Sequence, residues 1–444
     1  MDVGLTIDGV TALAPDAKVA AAGRKLGVPK SWESTGRSAD ALWGKCRGSA
    51  VYQVRVDLSD LAVKCSCPSR KHPCKHGIGL IFLHLETPLP TAPAPDWVTD
   101  WLARRAASKA TKNRAGKSTD AVATSDQEAK QKRARKRLSR VAAGLDALDL
   151  WMEDLVRDGL AAAGTRPASF WETQAKRMVD AQAPGIAARL RYLSGLPNSS
   201  PDWPRKLLEG LGRLALLSEA LRRLDAIDEP LAESVRAEVG IPLSQEEVLE
   251  RGEKVADGWI VLGQRTEDEG RLKARRTWLL GSDTRRYALI LQFASAGAPF
   301  AEGFVSGTVL GGELAFYPGA YPLRAVVRSR TGGATRVGGL PGHGTMEAFL
   351  DHTTRATAKH PWLERLPVAL EAVMPLLDGG PNGGRWLVRD RDGEALPLAV
   401  GEHWTLLSLS GGHPVGLAAE WNGETLLPLG VVAGGTYRVL PGGG

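Results

Sequence analysis

The sequence predicts an α+β protein of several domains: an N-terminal ββα unit, a central helical region and a β-rich C-terminal region. Three observations carry this. At 444 residues, 43% hydrophobic and 24% charged, the chain is longer than one ordinary domain and can bury real cores. Three of its four cysteines fall within LAVKCSCPSRKHPCKHGIGL (61–80), between strand-like and helix-like patterns. Past Trp259 the apolar spacing changes from helical to alternating.

Residues 1–36 read as a helical or irregular lead-in, with a short helix over APDAKVAAAGRKL (14–26). VYQVRVDL (51–58) alternates with β-branched Val, Ser59-Asp60 is turn-like, and LAVKCSC returns as a second strand. HGIGLIFLHL (76–85) then sets Ile78, Ile81, Phe82 and Leu85 at helical spacing, so a ββα unit spans 37–87. Pro88, Pro90, Pro93 and Pro95 break regular structure, WVTDWLARR (97–105) forms one or two helical turns, and polar, small, basic residues follow. The stretch 88–127 is therefore expected to be a flexible linker.

A helical region is predicted over 128–252. Leu138, Val141, Leu145, Leu148, Met152 and Leu155 form one apolar seam, expected to pack on further helices near 168–194 and 202–227, and Ser244 with Glu247 fits a capping box. From 253 to 444 the chain reads as β-rich. WIVLGQR, LKARRTWLLG, RYALILQFA and FVSGTVL are strands separated by Glu-Asp-Glu-Gly, Gly-Ser-Asp and Gly-Gly turns. Two helices are expected, at 345–359 and near 364–377. RWLVRD, ALPLAV, HWTLLSL, VGLAAEW and ETLLPLGVV complete the strands, with Asn422-Gly423 as a hairpin turn.

Charge is uneven. Between Arg104 and Arg140 thirteen Lys or Arg face three acids, a balance of +10 in a chain of +7, so the remainder sums to −3. MDVGLTIDGV has neither a basic nor an apolar leader region, and no run approaches eighteen apolar residues. With so few cysteines, no disulfide scaffold is expected, and a reducing cytoplasm is the expected home.

Cys65-x-Cys67-(six residues)-Cys74-x-His76 offers three thiolates and an imidazole, a donor set that satisfies tetrahedral zinc and leaves no open position for substrate. One structural Zn²⁺ is the expectation. Free buried cysteines with a surface histidine are the alternative, and a redox pair lacks its usual two-residue spacer. Lys64, Arg70, Lys71 and Lys75 flank the ligands and favour thiolates. His72 is a competing ligand set aside because Cys74-x-His76 completes the shell. His84 reads as a helix-terminal residue, and Cys46 as a small buried apolar one.

This C-x-C-x(n)-C-x-H pattern on a ββα frame resembles the SWIM zinc finger, and LWGKCRGSAVYQVRVDL leading into CSCPSRKHPCKHGIGL resembles bacterial SWIM finger proteins. The family's ligands fall on Cys65, Cys67, Cys74 and His76, and His72 stands where relatives carry an aromatic. The resemblance implies an interaction module for protein or DNA. It also implies an assembly with a MoxR-like AAA ATPase and a von Willebrand A-domain protein, beside which bacterial members are often encoded.

Recognition, of protein or of nucleic acid, is therefore the expected function. The alternative is a DNA-binding protein using the finger and the basic 104–140 segment, where counterion release would supply affinity. A second alternative is an enzyme with an unrecognised site in the C-terminal region. Against catalysis, the chain has no P-loop, G-x-G-x-x-G, G-x-S-x-G or H-E-x-x-H, and GGPNGG (379–384) lacks the Lys-Ser/Thr of a phosphate cradle. His343, His352, His360, His403 and His413 are scattered and are expected mostly at the surface. Loss of a cysteine ligand is expected to unfold the finger and leave residues beyond 140 folded.

Overall fold

Caps and glycines shape the N-terminal unit. Helix α1 (Ile7–Leu13) starts where the Thr6 hydroxyl accepts the Gly9 N–H, and α2 (Ala17–Leu26) where Asp16 accepts from Val19. Four antiparallel strands follow in order, β1 (Trp32–Arg37), β2 (Ala41–Arg47), β3 (Val51–Asp57) and β4 (Val63–Cys65), and then α3 (Lys75–Glu86). Glycines let α2 and α3 touch: a Cβ on Gly23 would lie 2.6 Å from Ile78 Cγ2, and one on Gly79 2.7 Å from Leu26 Cβ. The core between them holds Val10, Leu42, Val54, Val56, Ile78 and Phe82. The expected lead-in thus contains two helices and the first strand. The computed structural model describes residues 6–48, 50–69, 71–114, 123–269, 272–295, 298–379 and 384–441.

The expected linker is largely helical. Helix α4 (Asp96–Arg114) packs Val98 against Ala41 and Trp43 on the sheet, and α5 (Ala123–Arg157) begins inside the predicted linker. Low apolar content hid these helices, although Ala, Lys and Arg are strong helix formers. Of the basic segment, residues 115–122 and the side chains of 107–136 lie outside the described residues, as do Arg70 and residues 380–383.

The seam of α5 packs on the chain's own helices α6 (Ala168–Asp180), α7 (Pro184–Ser194), α8 (Trp203–Arg222) and α9 (Glu229–Val239), the last not expected as a separate helix. Val141, Leu145, Leu148 and Leu155 share this core with Trp171, and Trp362 reaches in from the C-terminal region to donate its Nε1–H to the Arg213 carbonyl at 2.9 Å. Helix α10 (Gln245–Arg251) has the expected capping box, with Ser244 and Glu247 hydrogen-bonded both ways.

Five strands then close a barrel in the order β5 (Lys254–Glu269), β6 (Leu272–Gly281), β7 (Tyr287–Ser295), β9 (Arg324–Arg336), β8 (Thr308–Phe316), with β7 and β9 parallel. This is a Greek-key barrel of the OB type. Gly311-Gly312 lies within β8 rather than in a turn, because β9 runs so close that a Cβ on Gly312 would meet the Ser329 carbonyl at 2.4 Å. Glu267, Asp268 and Glu269 likewise belong to β5, and 304–307 precedes β8 rather than forming part of it.

Helix α11 (Met346–Lys359) is as expected, but the helix predicted near 364–377 is a strand, β10 (Leu366–Asp378), at the centre of a six-stranded sheet. Its first five residues are buried without interruption, and such a run has no period to separate strand from helix. The sheet runs β12 (Ala395–Pro397), β11 (Arg385–Arg389), β10, β13 (Val415–Trp421), β14 (Leu426–Ala433), β15 (Thr436–Val439). The expected strand HWTLLSL is instead helix α12 (Trp404–Ser410), which buries Leu406 and Ser410 one turn apart and stops at left-handed Gly411. Trp278, Leu280 and Tyr287 on the outer face of β6 and β7 pack against Leu366, Ala369 and Leu429 of this sheet.

Because Trp362 closes the bundle core from outside its sequence, Trp362→Ala is expected to destabilise the chain by about 3–5 kcal/mol. Urea unfolding followed by far-UV circular dichroism reads this as a lowered midpoint of the helical transition; an unchanged midpoint would show that the bundle closes without it.

Candidate metal centre

Cys65 ends β4, paired opposite Val54 of β3. The chain then leaves sheet geometry, and the Cys67 N–H turns back to donate to Cys65 Sγ at 3.4 Å. Cys74 is the N-cap residue of α3, and His76 lies in its first turn. Hairpin end and helix start thus converge, bringing the four donor atoms within 4.8 Å of one another. His76 Nδ1 lies 3.7 Å from Cys65 Sγ and 3.8 Å from Cys74 Sγ. A tetrahedron with Zn–S about 2.3 Å and Zn–N about 2.0–2.1 Å has S···N edges of about 3.6 Å. The donors stand nearly where zinc requires them.

Electrostatics gives the same answer. The Cys65 thiol donates to Cys74 and is itself pushed well above the ordinary thiol range, while Cys74 is pulled well below it by that hydrogen bond and by contacts with His76 and the Gly77 N–H. Burial raises Cys67. Ionising one of the three thiols therefore disfavours ionising the other two. Three thiolates this close need a divalent ion, and the Cys₃His set is chemically suited to zinc. With four protein donors the ion has no open position and its role is structural.

Every residue of the expected quartet is in the cluster, and among the described residues no other group of three or more His, Cys, Asp or Glu forms one. His72 stays outside it. His84 is buried and accepts the Leu89 N–H on Nδ1 at 3.2 Å. Cys46 is fully buried in the N-terminal core, and burial raises it to about 11. Two supports carried no sequence signal. Tyr52 covers the His76 ring with centroids 4.9 Å apart, and Lys71 pairs with Asp16 at the start of α2. Only packing of distant segments makes these contacts.

Of the C-terminal histidines, His413 is exposed as expected, but His343, His352, His360 and His403 are not. His343 and His352 are half-buried with ring centroids 5.1 Å apart, and His352 Nε2 lies 2.9 Å from the Tyr321 hydroxyl. Burial lowers both, His343 to about 4. His360 is buried beside Glu238, 3.4 Å away. Neutral at pH 7, these rings pack between elements.

A ββα unit organised by four metal ligands, followed by a helical bundle, defines a zinc-finger protein. Residues 52–84 match the family model of the SWIM zinc finger, and residues 136–239 match that of the SWIM-associated four-helix bundle domain. The chain carries both domains, with Cys65, Cys67, Cys74 and His76 arranged for a single structural zinc. No curated protein and no solved structure matches the chain.

Purified protein is expected to hold about one equivalent of zinc by elemental analysis, and Cys74→Ser a small fraction of that. Because protons compete for thiolate and imidazole, retention should fall as pH is lowered. Full zinc content in Cys74→Ser would refute the quartet.

Proposed function

We propose that this is a non-enzymatic recognition protein whose zinc finger contacts an acidic protein partner through the outer face of its sheet. The observation that carries the reading is where the finger offers contact. Helix α3 is buried from His76 to His84 between sheet and α2, so it cannot lie in a DNA groove as a recognition helix does. The sheet face opposite α3 is available instead. Register puts Lys45 opposite Gln53, Trp43 opposite Arg55, and Arg55 opposite Lys64. Lys45, Arg47 and Lys64 are exposed, and among the described residues none has a carboxylate within ion-pair distance. Trp97 and Trp101 of α4 flank Arg55 and cover the other half of the face. Uncompensated cations attract and orient an acidic surface.

An assembly with a MoxR-like AAA ATPase and a von Willebrand A-domain protein is the partner set that the family resemblance favours. A reducing cytoplasm suits three thiolates, and no described helix is long and apolar enough to cross a membrane. The second reading is nucleic-acid binding, favoured by the same cations together with the +10 segment beginning in α4.

Pulldown of the tagged chain with and without nuclease tests both. The first reading predicts nuclease-resistant capture of a defined protein, reduced at least about tenfold by the triple variant Lys45→Glu, Arg47→Glu, Lys64→Glu. Capture lost on nuclease treatment, or binding to DNA that weakens steeply with salt, would replace it with the second. Capture that survives the triple variant would remove the sheet face from either reading.

A further inference from the structure

We propose that the finger and the barrel form one cooperative unit, in which the metal, by organising the finger, also holds the barrel's β7–β8 connection in place. Two adjacent side chains in that connection belong to different cores. Phe304 is buried inside the barrel with Trp259, Leu279 and Phe316. Val305, the next residue, is buried in the finger's core with Val10 and Leu61. Helix α1 closes over it so tightly that a Cβ on Gly9 would lie 2.1 Å from Val305 Cγ1.

Both sides also grip this segment by hydrogen bonds. From the finger, the Asp60 carbonyl accepts the Gly303 N–H at 2.9 Å, and the Asp60 carboxylate receives Arg105 of α4. From the barrel, Gln264 Nε2 donates to the Phe304 carbonyl at 2.8 Å and Gln292 Nε2 to the Glu302 carbonyl at 3.2 Å. Arg330 lies over the Phe304 ring at 4.4 Å and donates to the Gly303 carbonyl at 2.9 Å. The finger's half of the grip sits just upstream of the metal. Leu61, in the left-handed region at φ 55, is four residues before Cys65, and β4, which ends on Cys65, is only three residues long. So short a strand relies on its metal-bound end, and a bulky residue persists at positive φ only where its surroundings hold it.

A narrow cleft with room for about one water runs along the junction, bordered by Leu58, Leu61, Leu310, Thr331 and Ala334. The 303–305 segment is where the two cores join. The finger is not the detachable module the sequence implies: metal loss should leave the bundle intact and loosen the barrel where it meets the finger.

Hydrogen exchange on the full chain, with zinc bound and after chelation, tests this. Chelation should speed exchange over 52–84 and also over 303–316, leaving 168–222 in the bundle unchanged. Faster exchange confined to 52–84, or none in either segment, overturns the proposal. Coupling is reciprocal, so Val305→Ala should weaken zinc binding at least about fivefold in competition with a chromophoric chelator. Arg328→Gln on the barrel surface should leave it unchanged. Val305→Ala binding zinc as tightly as wild type, or Arg328→Gln weakening it equally, would separate the two domains energetically and defeat the idea.

Discussion

Three thiols packed within a few ångströms cannot all ionise unless a cation sits among them. That constraint organises the N-terminal third of the chain. Cys65 brings the end of a short strand, and Cys74 and His76 bring the start of a helix that packs on the same sheet. Strand β4 has three residues, and the described residues of the link from Cys67 to Cys74 form no helix or strand. One ion substitutes for the side-chain packing such a segment lacks. Tyr52, Asp16 and Lys71 then position what the ion holds.

Burial around this centre limits how the finger can recognise anything. In a zinc finger that reads DNA, the helix is free on one side. Here α1, α2 and the sheet enclose α3, and glycines at the α2 crossing allow contact too close for any side chain between. Recognition is left to the sheet's outer face, half covered by α4 and half bare and cationic. The C-terminal region is likewise turned inward. The β6–β7 face that OB barrels commonly use for ligands is occupied by the chain's own six-stranded sheet, joined through Trp278 to Glu420 at 2.8 Å.

Legibility of these features in the sequence followed their locality. The metal quartet was readable because its four donors sit within twelve positions and their chemistry is narrow. The seam of α5, the capping box at Ser244 and the Asn422-Gly423 turn were readable because spacing or a local hydrogen bond defines each. The misread elements lacked such a marker. β10 is apolar on both faces and shows no period, HWTLLSL is too short for its spacing to discriminate, and the Ala- and Lys-rich stretch after Pro95 looks like linker until Val98 and Trp101 find a sheet to cover.

The sequence by itself determined the ligands, their metal and most helices, because these rest on contacts between near neighbours in the chain. Tertiary structure alone decided that α3 is buried, that α4 lies on the sheet, and that Phe304 and Val305 join two cores. The physical reason is that burial belongs to surfaces brought together from distant positions. An apolar residue announces that it will be covered, but not by what.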